Sequence, residues 1–199
     1  MRHRRAAAVA GDFRRWPDAV VPYRYKDHFS RSQQKIVHAA MANIEKVSCV
    51  RFRKRRSSDP NFLELHREPR GTSCSVSHVG YSLEPNSRSV MLLTKRECFT
   101  VGTVTHELLH VLGHVHEHQR PDRDRYLVVR PWLQPVDYQD DFAVYDDEKS
   151  LVLTEDFDYD SIMSYGRLRK DDSLTLQTRN LRNQERCSDP ILFWKQLSF

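Results

Sequence analysis

Apolar residues recur along this chain in two rhythms. Over Ser30–Val47, Ile36, Val37, Ala40, Met41, Ile44 and Val47 fall at three- and four-residue steps, the spacing that lines one face of an α-helix. That pattern predicts a helix with its stripe turned to a core, capped by Ser30 or Ser32. Over Cys49–Arg55, Val50 and Phe52 alternate with Arg51 and Arg53. After a turn at Ser57–Pro60, Leu63 and Leu65 alternate with Glu64 and His66. A period of two marks half-buried strands. Val20–Tyr25 reads as another strand, whose Pro22 belongs at its start or on a sheet edge. The Val-Met-Leu-Leu run in Ser89–Thr94 suits a buried or half-buried strand, and Pro69–Ser77 reads as a loop. A second helix is expected within Cys98–Gly113, on Val101, Val104, Leu108, Leu109 and Leu112. From Pro121 to about Asp158 prolines and aspartates favour loops, with one short helix near Val136–Val144. Ser188-Asp189-Pro190 reads as the cap and first turn of a closing helix, Ile191–Leu197. The pattern is that of one mixed α/β domain of the α+β kind, without internal repeats.

Composition adds bounds. The chain of 199 residues is 39% hydrophobic and 30% charged, enough for a real core. No apolar run approaches the ~18 residues of a membrane span, so none is expected. Net charge is +5, with basic runs at Arg2–Arg5 and Arg51–Arg56. Such runs attract nucleic acid, glycosaminoglycan or acidic substrate segments; a solvated strand end and a flexible arm are the plainer reading. No interleaved aromatics support nucleic acid. Cysteines stand at 49, 74, 98 and 187, with no C-x-x-C pair. They fit two disulfides in an oxidising compartment, or four buried thiols.

The chemistry concentrates in His106–Asp124, HELLHVLGHVHEHQRPDRD. A helix turns 100° per residue, so His106 and His110 share a face with Glu107 beside them. Two neutral imidazoles can pre-place zinc, and the carboxylate can take a proton from water. A third ligand has two candidates. If the helix stops at Gly113 in a left-handed turn, the chain can bring His116 back to the metal. If the helix runs on, the series His106, His110, His114, His118 continues, and His114 competes.

This stretch resembles the extended zinc signature of the astacin family of metzincin metalloproteases, with Gly113, His116, Glu117, Arg120 and Asp122-Arg123-Asp124 in place. Phe157-Asp158-Tyr159-Asp160-Ser161-Ile162-Met163-Ser164-Tyr165-Gly166 looks like the family's Met-turn. The resemblance runs from the arm to about Lys170 and includes Trp16-Pro17-Asp18, Cys49-Val50-Arg51-Phe52 and Ser77-His78-Val79-Gly80. Arg2–Arg5 before Ala6 looks most like the tolloid-type branch, so 1–5 reads as a propeptide remnant or processing site and 6–199 as the peptidase domain.

The resemblance implies a metzincin fold: a twisted mixed sheet with two long helices in the N-terminal half, and an irregular C-terminal half ending in a helix. It implies a secreted, extracellular zinc metalloendopeptidase, monomeric, with one Zn2+ per domain, protein or peptide substrates, and no nucleic-acid partner. His106, His110 and His116 become the metal ligands, Glu107 the general base, and Tyr165 the stabiliser of the oxyanion. Met163 becomes an apolar floor under the metal, and Glu117 the partner of a matured N-terminus at Ala6. Cys74 and Cys98 match the family's short-loop disulfide. Cys49 matches the first half of a second bridge, for which Cys187 is the remaining partner. Arg167, Arg169 and Lys170 are candidates for preferring acidic residues beside the cleaved bond. The competing function is a catalytically weak astacin-like module that binds matrix or cell-surface partners. His114, Ser164 and His78 depart from the family pattern, which bears on the shape of the substrate subsites.

Overall fold

A computed structural model describes residues 7–9, 14–68, 74–94, 96–133, 135–145, 150–152, 157–165, 169–170, 173–174 and 176–178. In chain order the elements are β1 (Ala7–Val9), β2 (Val20–Tyr25), α1 (Arg31–Val47), β3 (Arg51–Lys54), β4 (Phe62–His66), β5 (Cys74–Val76), β6 (Arg88–Leu93), α2 (Val101–Val111), β7 (Leu127–Val129), β8 (Ser150–Val152), β9 (Arg169–Lys170), β10 (Ser173–Leu174) and β11 (Leu176–Thr178). By contacts the chain divides into Gly11–His114 and a second unit of Met1–Ala10 with Val115–Phe199.

The first unit is a five-stranded sheet in the order β3-β2-β4-β6-β5. Neighbours pair in parallel except β5, which runs antiparallel to β6. Alternation sends Val21, Tyr23, Leu63, Leu65, Met91 and Leu93 to one face, where they join Val37, Ala40, Met41 and Ile44 of α1 and Val104, Leu108 and Val111 of α2 in one core. Leu63, Leu65, Met91 and Leu108 are wholly buried, each burial contributing about 1.5–3 kcal/mol. Helix α1 begins as its sequence dictates. The Ser30 hydroxyl accepts from Gln33 N at 3.3 Å, and Gln33 Oε1 accepts from Ser30 N at 2.9 Å, a reciprocal cap that satisfies two orphan donors.

Two sequence expectations change here. Pro22 lies inside β2, which is flanked by β3 and β4. It is tolerated because pairing to β4 begins only at Tyr23, so the missing N–H falls before that ladder. The stretch expected as a loop at Pro69–Ser77 contains β5. Three residues show no alternation to read; the antiparallel partner β6 and the Cys74–Cys98 disulfide define the strand instead. That bridge closes a loop of 24 residues and contributes about 3 kcal/mol by restricting the unfolded chain. Its partner Cys98 precedes α2, so the helix start is tied to the sheet.

In the second unit β1 pairs with β8, β7 with β11 and β9 with β10, all antiparallel. The short helix expected near Val136–Val144 is two 3-10 turns, Val136–Tyr138 and Asp140–Phe142. Leu127, Phe142 and Phe157 form a small core with Tyr126, Val129, Tyr159 and Tyr165 around it. Arg120 is fully buried. Its guanidinium meets Glu117 at 2.8 Å and Asp122 at 2.8 and 2.9 Å. Glu117 in turn accepts from Asp158 N at 3.1 Å, and its own N–H donates to Met163 O at 2.8 Å. A buried charge is tolerated only when paired in this way, and the network staples the second half of the His106–Asp124 stretch to the 157–165 turn. Among the described residues no helix is long and apolar enough to cross a membrane. Cys49 is exposed and has no disulfide partner among the described residues. The closing helix, Cys187 and Arg167 lie outside the described residues, as does Ala6 with the basic arm.

Candidate metal centre

Helix α2 starts at Thr100, whose hydroxyl accepts from Thr103 N at 3.0 Å. Val104, Leu108 and Val111 face the core, which leaves His106 and His110 one turn apart on another face, ring centroids 4.7 Å from each other. The helix ends as the glycine in the motif demands. Gly113 takes φ +100°, its N–H donates to His110 O at 2.9 Å, and His114 N donates to Leu109 O at 2.9 Å. These are the two bonds of a Schellman cap, in which a left-handed residue closes the last turn.

Two donors from distant segments complete the cap. Gly80 N donates to His110 O at 2.9 Å, and the buried Trp16 Nε1 donates to Val111 O at 2.8 Å. Carbonyls at a helix C-terminus have no partner within the helix, so these bonds fix where α2 stops. Sequence reasoning matched Trp16 and Gly80 to a family pattern but gave them no task. Gly80 has φ +79°, and a Cβ there would lie 3.0 Å from Arg14 O and 3.5 Å from Gly113 Cα. A Cβ on Gly113 would meet only Gly80 Cα, at 3.8 Å. Gly80→Ala therefore combines backbone strain with a clash and should lower unfolding free energy by about 1–3 kcal/mol. Gly113→Ala carries the strain alone and should cost less. Urea denaturation of the two variants checks the order; equal losses would contradict it.

Past Gly113 the chain places His116 beside the helix pair. One ligand atom from each of His106, His110 and His116 lies within 4.8 Å of the others, and His114 is not in that group. Hydrogen bonds set the tautomers. His110 Nδ1 lies 2.7 Å from His114 O, and His116 Nδ1 lies 3.0 Å from Gln119 Oε1. Both oxygens can only accept, so each Nδ1 carries the proton and each Nε2 offers a lone pair, the arrangement typical of histidines that hold a metal. Burial, with the neighbouring His106, pushes His110 down to about 3, so it is neutral, the form that ligates. Three converging imidazoles, two of them with their outer nitrogens fixed, fit zinc. Gln119 was not singled out in the sequence, although its position three residues past His116 was a usable signal.

Glu107 is buried beside this group, at 5% exposure, and burial pushes its carboxyl up to about 7. Tyr165 packs its ring 4.5 Å from that of His116 and 4.4 Å from that of His118. Met163 is buried. His118, the last of the evenly spaced histidines, is fully buried. Its Nδ1 accepts from Tyr165 N at 3.3 Å, so Nε2 donates to Asp141 O at 3.1 Å. It holds backbone together.

A family model described as Astacin, a peptidase family, matches residues 8–193. The chain is 37% identical over 162 residues to Bone morphogenetic protein 1 of Xenopus laevis, covering 81% of this chain and 22% of the relative. It is 34% identical over 160 residues to Zinc metalloproteinase nas-3 of Caenorhabditis elegans, covering 75% and 52%. To Tolloid-like protein 1 of Homo sapiens it is 35% identical over 162 residues, covering 81% and 15%. The matched region is thus about half or less of each relative's length. Among solved structures, High choriolytic enzyme 1, a hatching enzyme zinc-protease from Oryzias latipes, superposes with TM-score 0.72 at 22% identity, covering 92% of this chain and 90% of that one. That likeness shows the fold.

Proposed function

Because the chain belongs to the astacin family of peptidases, we propose that it is a secreted zinc metalloendopeptidase that hydrolyses peptide bonds in protein substrates. The observation that carries this reading is the convergence of three imidazoles beside a buried carboxylate. His106, His110 and His116 hold the zinc, and Glu107 is the general base. Zinc, when bound, supplies a Lewis acid that activates water and polarises a carbonyl. Glu107 removes a proton from the attacking water and passes it to the leaving nitrogen as the bond breaks. The Tyr165 hydroxyl donates to the oxyanion that develops on the scissile carbonyl. The Nδ1–H bonds of His110 and His116 keep their rings oriented throughout. Met163 gives the site its apolar floor.

The Cys74–Cys98 disulfide supports an extracellular location, since such bonds persist in oxidising compartments. Glu117 supports a matured N-terminus. Its Oε2 is buried and has no hydrogen-bond partner among the described residues, an unsatisfied acceptor of the kind native proteins rarely leave. An ammonium at Ala6, exposed by cleavage after Arg5, would satisfy it.

The test is cleavage of an unstructured protein such as casein. Cleavage should occur, stop with a chelator and return with zinc. A chain that holds zinc and cleaves nothing would instead be a binding module.

A further inference from the structure

One face of the five-stranded sheet carries both helices; the other carries arginines. Side chains alternate along strands, so Arg24 of β2, Phe62, Glu64 and His66 of β4, and Arg88 of β6 stand on the face away from the core. Arg53 of β3 pairs with Pro22 and continues that face, and Arg55 follows just past the strand. The strand order spreads these groups over three inter-strand gaps, about 14 Å.

Their anchors lie underneath. Glu64, with no exposure, accepts from Arg24 Nε and His66 Nε2, each at 2.7 Å, and lies 3.3 Å from Arg88 Nη1. Burial alone would raise the Glu64 carboxyl, but the His66 and Arg24 bonds and the arginine charges outweigh it and hold it below its ordinary value. Asp59, also buried, receives both arms of the Arg53 fork at 2.6 and 2.7 Å. The Arg55 guanidinium lies 4.0 Å from the centroid of the Phe62 ring, and Arg24 lies 4.8 Å from the same ring. Arg55 Nε has no hydrogen-bond partner among the described residues. Three guanidiniums thus pair with two carboxylates and a fourth lies on Phe62, and the carboxylates are the buried layer. Solvent meets the cations, with the side chains of Arg24, Arg53 and Arg88 exposed by 43%, 35% and 52%.

We propose that this sheet face is a docking surface for a linear sulfated polysaccharide. Guanidinium forks match the flat, multidentate oxygens of sulfate and carboxylate better than ammonium groups do. Buried acids and the Phe62 ring already hold several of the arginines in place, so less side-chain entropy is lost on binding. A row of cations across four strands suits a polymer with repeating charge. Nucleic acid is the weaker match, because the aromatic ring on this face lies under arginines and offers no platform for stacking bases. The disulfide also favours an extracellular polyanion.

The test is binding of a fluorescent heparin oligosaccharide to the whole chain by anisotropy, at two salt concentrations. Arg55→Gln with Arg88→Gln leaves the Arg24–Glu64 pair intact and should weaken binding at least tenfold. Arg31→Gln with Lys35→Gln removes the same net charge from exposed positions on α1 and should change binding less than twofold. Arg55→Gln alone, which breaks no ion pair among the described residues, should still weaken it measurably if the double variant fails to fold. Equal losses in the two double variants, or none, would overturn the proposal. So would duplex DNA of similar length binding as tightly as heparin with the same dependence on Arg55.

Discussion

Replacing Glu107 by glutamine should reduce peptide-bond hydrolysis by about 10²–10⁴-fold, the usual contribution of a positioned base, and leave zinc in place. The substitution keeps the side chain's shape and removes its ability to take a proton. Glu107 is not one of the three converging metal donors, so metal affinity should hold. Nor should the fold suffer. The carboxyl is buried at 5% exposure and burial already works against its charged form, so a neutral amide costs little there. The measurement is kcat/KM on a peptide substrate with metal content and thermal midpoint determined on the same sample. Turnover near that of the unmodified chain would remove Glu107 from the role of base.

His116→Ala should release the zinc, and His114→Ala should not. Losing an outer hydrogen bond to a metal histidine costs ~10–100-fold in affinity, and losing a ligand costs more. His116 supplies one of the three converging atoms. His114 contributes its backbone carbonyl, which His110 Nδ1 meets at 2.7 Å, and alanine keeps that carbonyl. The two substitutions remove the same side chain two residues apart, so general damage to the turn would affect both.

What could be read from the sequence was what is local. The stripe Val37, Ala40, Met41 and Ile44 predicted α1 because a helix repeats its own pattern within a few residues, and Ser30 caps it with Gln33 as that spacing allows. The alternation at Leu63 and Leu65 found β4 for the same reason. Residue spacing left the third position open between His114 and His116, the family resemblance pointed to His116, and the structure groups His106, His110 and His116. The even series His106, His110, His114, His118 misled as a bare pattern, because Gly113 breaks the helix and His118 turns into a buried backbone brace. What could not be read is long-range. Trp16 meets Val111 across 95 residues, and nothing near either residue announces it. Strand β5 exists through its pairing with β6, and Pro22 is tolerated through the offset of two ladders. The arginine face was visible only in part, as a basic run at Arg51–Arg56. Its union with Arg24 and Arg88 depends on strand order.

The deciding measurement is zinc content after exhaustive dialysis, taken side by side for the unmodified chain, His116→Ala and His114→Ala. The expected values are one zinc per chain, almost none, and one. A His116→Ala chain that keeps its zinc while His114→Ala loses it would contradict the assignment, and an unmodified chain that holds none would contradict the metal centre itself.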